Sequence, residues 1–276
     1  MASRPNASGR RRRAIPGQVP VIELQARDLD IIECILRLGG HLSADLLALQ
    51  FWGTCQSDPA RRRLRKLLDA KMLSATLVGS RLPNIYFVTR RGLDALVTER
   101  PNLGQLRLPE PVRTVAGLRH AELVSAARLY LSALADAGHG QLLCWSGGRS
   151  QVANDLGLPA AHIAPDGIAE LRMGSTEGIA LVEADVGTET NALRAKLDRY
   201  GRYLVDRKGV QLWIVAAGGP ARQATVEQWC KEANVGSHTR LFAETAILVR
   251  PAKAPIARLF KRWAASDPER AGGGQP

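Results

Sequence analysis

Residues 165–203 read PDGIAELRMGSTEGIALVEADVGTETNALRAKLDRYGRY, and their periodicity decides how the second half of the chain folds. Ile168, Glu170 and Arg172 alternate with Ala169, Leu171 and Met173, the pattern of a strand with one face buried. A Gly-Ser-Thr-Glu-Gly turn leads into Ile179-Ala180-Leu181-Val182, an apolar run that predicts a central strand. Glu183 and Asp185 follow two residues apart, so on a strand they share a face. Asp166 opens the partner strand, and the hairpin then brings three carboxylates toward one end. Carboxylates gathered this way repel one another and resist desolvation unless a cation or a proton sits among them. The pattern points to a hard divalent ion such as Mg2+, with Asp166, Glu183 and Asp185 as its oxygen ligands.

Gly187-Thr188 ends the strand, with Thr188 expected as the N-cap of a helix. At about 100° per residue, Ala192, Leu193, Lys196, Leu197, Tyr200 and Tyr203 fall on one face, with Arg194, Asp198 and Arg199 on the other. Lys196 therefore lies in the apolar stripe. A lysine aimed at a carboxylate cluster can orient a water nucleophile or meet developing phosphate charge. The plainer readings are a lysine that snorkels past Tyr200 or a structural ion pair with Glu183, and for Asp166 a simple Pro-Asp-Gly turn.

The 276-residue chain is long enough for two modest domains, and its net charge of +12 is unevenly spread. Residues 1–110 hold 18 of the 38 Lys+Arg but 10 of the 26 Asp+Glu, and so carry +8 of the excess. A basic balance concentrated in one third of a chain favours a polyanion partner, here nucleic acid, which the winged-helix pattern below narrows to double-stranded DNA. No apolar run approaches the ~20 residues of a bilayer span, so no membrane partner is expected. Four cysteines (Cys34, Cys55, Cys144, Cys230) have no CxxC spacing, a reduced pattern that fits a cytoplasmic protein.

Residues 1–20 carry Arg10-Arg11-Arg12-Arg13 among Ser, Gly, Asn and Pro, and read as a disordered basic arm that neutralises phosphates or enters a minor groove. Residues 26–99 have the pattern of a winged helix-turn-helix. A first helix over Arg27–Leu38 stops at Gly39-Gly40, a second starts from Ser43 as N-cap, and a third starts near Ser57-Asp58-Pro59. The third helix turns Ala60, Leu64, Leu67, Leu68 and Lys71 inward and carries Arg61, Arg62, Arg63, Arg65 and Lys66 toward or beside its outer face. Cations near a helix N-terminus oppose the helix dipole, a cost that phosphates would offset, as in major-groove docking. Leu73–Val78 and Ile85–Thr89 form the wing, with Arg81 at its tip. The competing reading is a three-helix dimerisation module with a solvated basic face.

Residues 100–117, with three prolines, read as a linker before a second domain at 118–250. There a helix from Arg119 to Ala137 precedes a strand at Gln141–Trp145. Glu122 is a surface residue or reaches the carboxylates from above, and His120 is a capping or packing histidine. Val210–Ala216 is a buried strand, Arg222–Ala233 a helix and Ala246–Val249 a final strand; residues 251–276 form a basic flexible tail. The fold class is α+β: a winged helix-turn-helix followed by an α/β domain with a mixed central sheet.

The order helix, three strands, helix, strand, with Pro165-Asp166 and Glu183-Ala184-Asp185 on the second and third strands, resembles the PD-(D/E)XK nuclease-like core. Asp185 stands where that pattern has a lysine, and the resemblance implies Lys196 as its substitute, giving Asp166, Glu183, Asp185 and Lys196 as catalytic residues. The chain as a whole is similar to the replication-relaxation family of plasmids and mobile elements. The matching residues are Ala26-Arg27-Asp28, Arg62-Arg63-Leu64-Arg65-Lys66-Leu67, Val88-Thr89-Arg90-Arg91-Gly92, His120, Pro165-Asp166-Gly167, Glu183-Ala184-Asp185, Gly187-Thr188-Glu189, Lys196-Leu197 and Tyr200. This resemblance implies a bacterial DNA-binding role in replication, relaxation or mobilisation, alongside other replication or relaxosome proteins. Either Mg2+-dependent DNA cleavage accompanies that role, or the chain is a non-catalytic regulator or accessory factor on a degenerate nuclease fold. A palindromic target would imply a homodimer.

Overall fold

The computed structural model describes residues 22–53, 58–76, 84–110, 112, 114–136, 140–146, 156, 163–173, 175–187 and 190–243. The Arg10–Arg13 arm, Arg81, Thr188, the expected strand at 246–249 and the tail at 251–276 lie outside these residues. Among the described residues the chain is a mixed α+β structure with seven α-helices, a three-stranded sheet and a five-stranded sheet.

Helix α1 (Ala26–Arg37) begins where the Asp28 carboxylate accepts the Gln25 N–H at 2.7 Å. It ends at Gly39 and Gly40, whose φ values of +99° and +88° let the chain reverse into a short strand β1 (His41–Ser43). Ser43 caps α2 (Ala44–Trp52) as the sequence predicts, its Oγ accepting the Leu46 N–H at 3.1 Å. α3 (Asp58–Asp69) buries Ala60, Leu64 and Leu67. Lys71 departs from expectation: the helix has ended, the residue adopts φ +59°, and its side chain is exposed. Strands β2 (Leu73–Thr76) and β3 (Ile85–Val88) join β1 in an antiparallel sheet of order β1-β3-β2. A further helix, α4 (Arg90–Glu99), follows from Thr89, whose hydroxyl accepts the Gly92 N–H at 3.1 Å. Arg100 then ties the end of α4 to α1 through Asp30 and Glu33, at 2.6 and 2.7 Å.

After a 3-10 turn at Pro101–Leu103, α5 (Val115–Asp136) starts ahead of the expected Arg119. The second sheet has strands β4 (Gln141–Ser146), β5 (Gly167–Met173), β6 (Thr176–Asp185), β7 (Val210–Ala216) and β8 (Thr239–Ala243), in that spatial order. β4, β5 and β6 are antiparallel, whereas β6, β7 and β8 are parallel. The parallel pairs are connected by α6 (Thr190–Leu204) and α7 (Gly219–Glu232), since parallel neighbours need a crossover.

The alternation along β6 separates two cores. Ala180 and Val182 face Leu123, Ala127, Tyr130 and Leu131 of α5, in a core continuous with the apolar residues of α1–α4. Leu181 points the other way, with Ile168, Leu212 and Ile214, against Leu193, Leu197 and Tyr200 of α6 and Val226 and Trp229 of α7. Three layers result: α5 with the N-terminal elements, the sheet, and the α6–α7 pair. Glu183 and Asp185 continue the parity of Leu181, which carries both to the α6–α7 side at the C-terminal end of β6.

Candidate functional site

A cleft of about 500 Å3 opens at that end of the sheet, lined among others by Thr114, His120, Asp166, Glu183, Asp185 and Lys196. Asp166 stands just before β5, where its N–H donates to the Val182 carbonyl at 2.9 Å and fixes the backbone. Its Oδ2 accepts from the Ala184 N–H at 2.8 Å and lies 3.0 Å from His120 Nε2 on α5. Glu183, only 3% exposed, is held from the opposite side. Lys196 Nζ donates to its Oε2 at 2.7 Å, and the Tyr200 hydroxyl donates to Oε1. These two partners sit four residues apart on α6, one above the other on the buried face.

The environment drives the two carboxyls apart. Burial, followed by the charge of Asp166, pushes Glu183 up to about 8, against the pull of Lys196 and Tyr200. Burial also acts on Asp166. There the His120 hydrogen bond, the charges of His120 and Lys196 and the Ala184 N–H outweigh it and hold the group below the ordinary carboxylate value. The same bond to Asp166 raises the His120 pKa against the effect of burial. Tyr200 is raised well above the usual phenol value by burial and by Glu183 beside it.

Asp185 lines the same cleft and is paired from another helix. Arg222 of α7 grips it with two bonds, Nε to Oδ2 at 2.7 Å and Nη2 to Oδ1 at 2.8 Å. The Gly187 N–H adds a third contact at 3.1 Å. The structure thus brings Asp166, Glu183 and Lys196 together, and sets Asp185 in a clamp that ties β6 to α7. Among the described residues no three His, Cys, Asp or Glu side chains are grouped to hold a metal ion. Mg2+ commonly takes one or two carboxylates and keeps several waters, so Asp166 and Glu183 would suffice for such an ion once a Glu183 oxygen is released from Lys196 or Tyr200.

Three residues of this site were not assigned to it from sequence. His120, read as a capping or packing histidine, reaches the cleft carboxylate with its Nε2. Tyr200 was placed on the inward face, and its spacing from Lys196 was the available signal. Nothing in the sequence marks Arg222. Glu122 lies away from the cleft, with Oε1 and Oε2 accepting the Ser43 N–H at 3.1 and 3.0 Å.

On α3, Arg61, Arg62, Arg65 and Lys66 are exposed opposite Leu64 and Leu67. Arg63 is placed differently. Its guanidinium pairs with both oxygens of Asp28, a fully buried carboxylate of α1, and with the Glu23 carbonyl at 3.1 Å.

The family model described as replication-relaxation matches residues 36–211. Among solved structures, the restriction endonuclease FokI matches with a TM-score of 0.30 and 12% identity, over 80% of this chain and 42% of that one. The chain therefore spans less than half of that protein's length. No curated protein matches.

Proposed function

The chain belongs to the replication-relaxation family, and from that premise we propose that it is a double-stranded-DNA-binding protein of a bacterial plasmid or mobile element, acting in replication, relaxation or mobilisation through metal-dependent cleavage of a phosphodiester bond. The observation that carries the proposal is the meeting of Asp166, Glu183 and Lys196 in one cleft, on the side of a mixed sheet where helix α6 crosses between parallel strands.

In this reading the N-terminal elements act as a winged helix-turn-helix. α1, α2 and α3 pack around one core, β2 and β3 are the wing, and the cationic face of α3 enters the major groove through Arg61, Arg62, Arg65 and Lys66. Arg63 orients α3 on α1 and makes no base contact. The second unit acts on the bound strand. Asp166 and Glu183 would hold Mg2+, which when bound polarises the phosphate and lowers the pKa of its water. Lys196, partly exposed at the rim of the cleft, orients that water or meets the charge that grows on the phosphate. Tyr200 keeps Glu183 in its rotamer, and the Arg222–Asp185 clamp fixes the end of β6. A palindromic target would call for a homodimer. No described helix is long and apolar enough to cross a membrane, and a DNA target places the protein in the cytoplasm.

A second reading is favoured by one feature: both Glu183 oxygens are already engaged by Lys196 and Tyr200. A carboxylate satisfied in this way can be purely structural, and the chain is then a non-catalytic regulator or relaxosome accessory factor. Titration with Mn2+, with the free ion followed by electron paramagnetic resonance, separates the two. The first reading expects binding that disappears in Asp166→Ala/Glu183→Ala; equal binding in both proteins contradicts it.

A further inference from the structure

Helix α5 makes polar contacts on opposite sides within one turn. His120 reaches Asp166 Oδ2 in the cleft. Glu122 lies two residues on, about 200° around the helix, and accepts the Ser43 N–H with both oxygens. Ser43 is the N-cap of α2, so this carboxylate sits at the start of the helix that leads into α3. Two further bonds extend the joint. The Ser125 hydroxyl donates to the Leu38 carbonyl at 3.1 Å, and Arg128 donates to the Arg37 carbonyl at 2.7 Å, both at the end of α1. One stiff helix thus holds the cleft carboxylate and the ends of two N-terminal helices, with no loop in between.

The two contacts on Asp166 differ in origin. Ala184 belongs to the sheet and moves with it, whereas His120 arrives from α5. We propose that His120 is a positioning residue for Asp166, and that its place is set by the docking of α5 on the N-terminal elements through Glu122. Engagement of a duplex by α2 and α3 is then felt at the cleft. The coupling rests on the DNA-binding reading above, and the role of His120 on its metal-binding part alone. A histidine that holds a metal-binding carboxylate acts on affinity for the ion, and outer partners of this kind are worth roughly ten- to a hundredfold.

Two measurements on the full chain test this. In Mn2+ titrations, His120→Ala lowers affinity about tenfold or more. His120→Gln recovers much of that loss, because its amide donates to the same oxygen. Affinity equal to wild type in His120→Ala overturns the positioning role. The second measurement follows the Ala184 amide resonance, which senses Asp166 directly, during addition of a random-sequence duplex, with fluorescence anisotropy recording binding on the same samples. At saturation the resonance moves in the wild type and in Glu122→Gln, which keeps an acceptor oxygen, and stays in place in Glu122→Ala. A resonance unmoved in saturated wild type, or moved equally in Glu122→Ala, overturns the coupling alone. A duplex that does not bind the wild type overturns the DNA-binding reading and the coupling with it, while the Mn2+ result still decides for or against His120.

Discussion

Arg63 and Arg65 stand two positions apart on α3 and do different work. Arg63 neutralises Asp28, a carboxylate fully withdrawn from water, while Arg65 faces solvent. Arg63→Ala leaves a buried charge without its partner and should lower stability by about 3 kcal/mol in denaturant unfolding. Arg62→Ala and Arg65→Ala should leave stability unchanged and weaken duplex binding roughly tenfold; unchanged affinity in both removes α3 from the interface. Glu183 supplies a pH prediction. Its folded pKa of about 8 lies above the ordinary carboxyl value, so the folded state prefers the protonated form. The stability that this group contributes is complete below the ordinary value and is lost as pH rises toward about 8. Without divalent metal, the melting temperature of the wild type should therefore fall relative to Glu183→Gln across that window. Parallel curves would show that Glu183 keeps its charge throughout. At this scale the sequence was legible for Lys196, whose place in an apolar stripe predicted its inward aim. It was silent on Arg222, because an arginine on a helix carries no mark of the strand carboxylate it will meet.

Among the elements, the most readable were those with a clean period and a chemical stop. Val210–Ala216 is apolar but for Gln211 and lies between Gly209 and Gly218, and it forms β7 over those residues. Ser43 announced α2 by its capping chemistry; Ser43→Ala should cost about 1 kcal/mol and be visible in the unfolding midpoint. Helix α4 was also within reach, since Thr89 precedes Leu93, Leu96 and Val97 at helical spacing. The position of Gly92 beneath the Met72 carbonyl was not, because a Cβ there would lie 2.3 Å from that oxygen only once β2 and α4 are in place. Strand β1 is three residues long and exists because β3 offers it a partner, so no local pattern marks it. The clamp on Asp185 has the same origin. Two strand residues of one parity share a face, but which helix supplies a partner depends on how α6 and α7 lie across the sheet.

In the whole molecule, one apolar core links α1–α4 through α5 to the sheet, and a second core seats α6 and α7 on its other face. The strands β5, β6 and β7 and the helices after β6 and β7 were legible from alternation and turn chemistry, whereas β8 at Thr239–Ala243 was not, the final strand having been expected at 246–249. The tight bonding of α5 to the ends of α1 and α2 was not, because it depends on Glu122, Ser125 and Arg128 meeting backbone groups more than seventy positions away. The charge excess makes its own prediction at this scale. Removing residues 1–20 should weaken binding to any sequence and shallow the salt dependence by up to about 4.5 in logarithmic slope, as the segment's five arginines no longer release counterions. An unaltered slope would take the arm out of the interface. The most direct test of the account is cleavage of a supercoiled plasmid carrying the element's own sequence, in Mg2+ or Mn2+, with wild type beside Asp166→Ala/Glu183→Ala. A metal-dependent nuclease gives nicked or linear product with the wild type and none with the double variant. Intact plasmid with both proteins, while both still protect the DNA in a footprint, would contradict it and leave a DNA-binding accessory factor in its place.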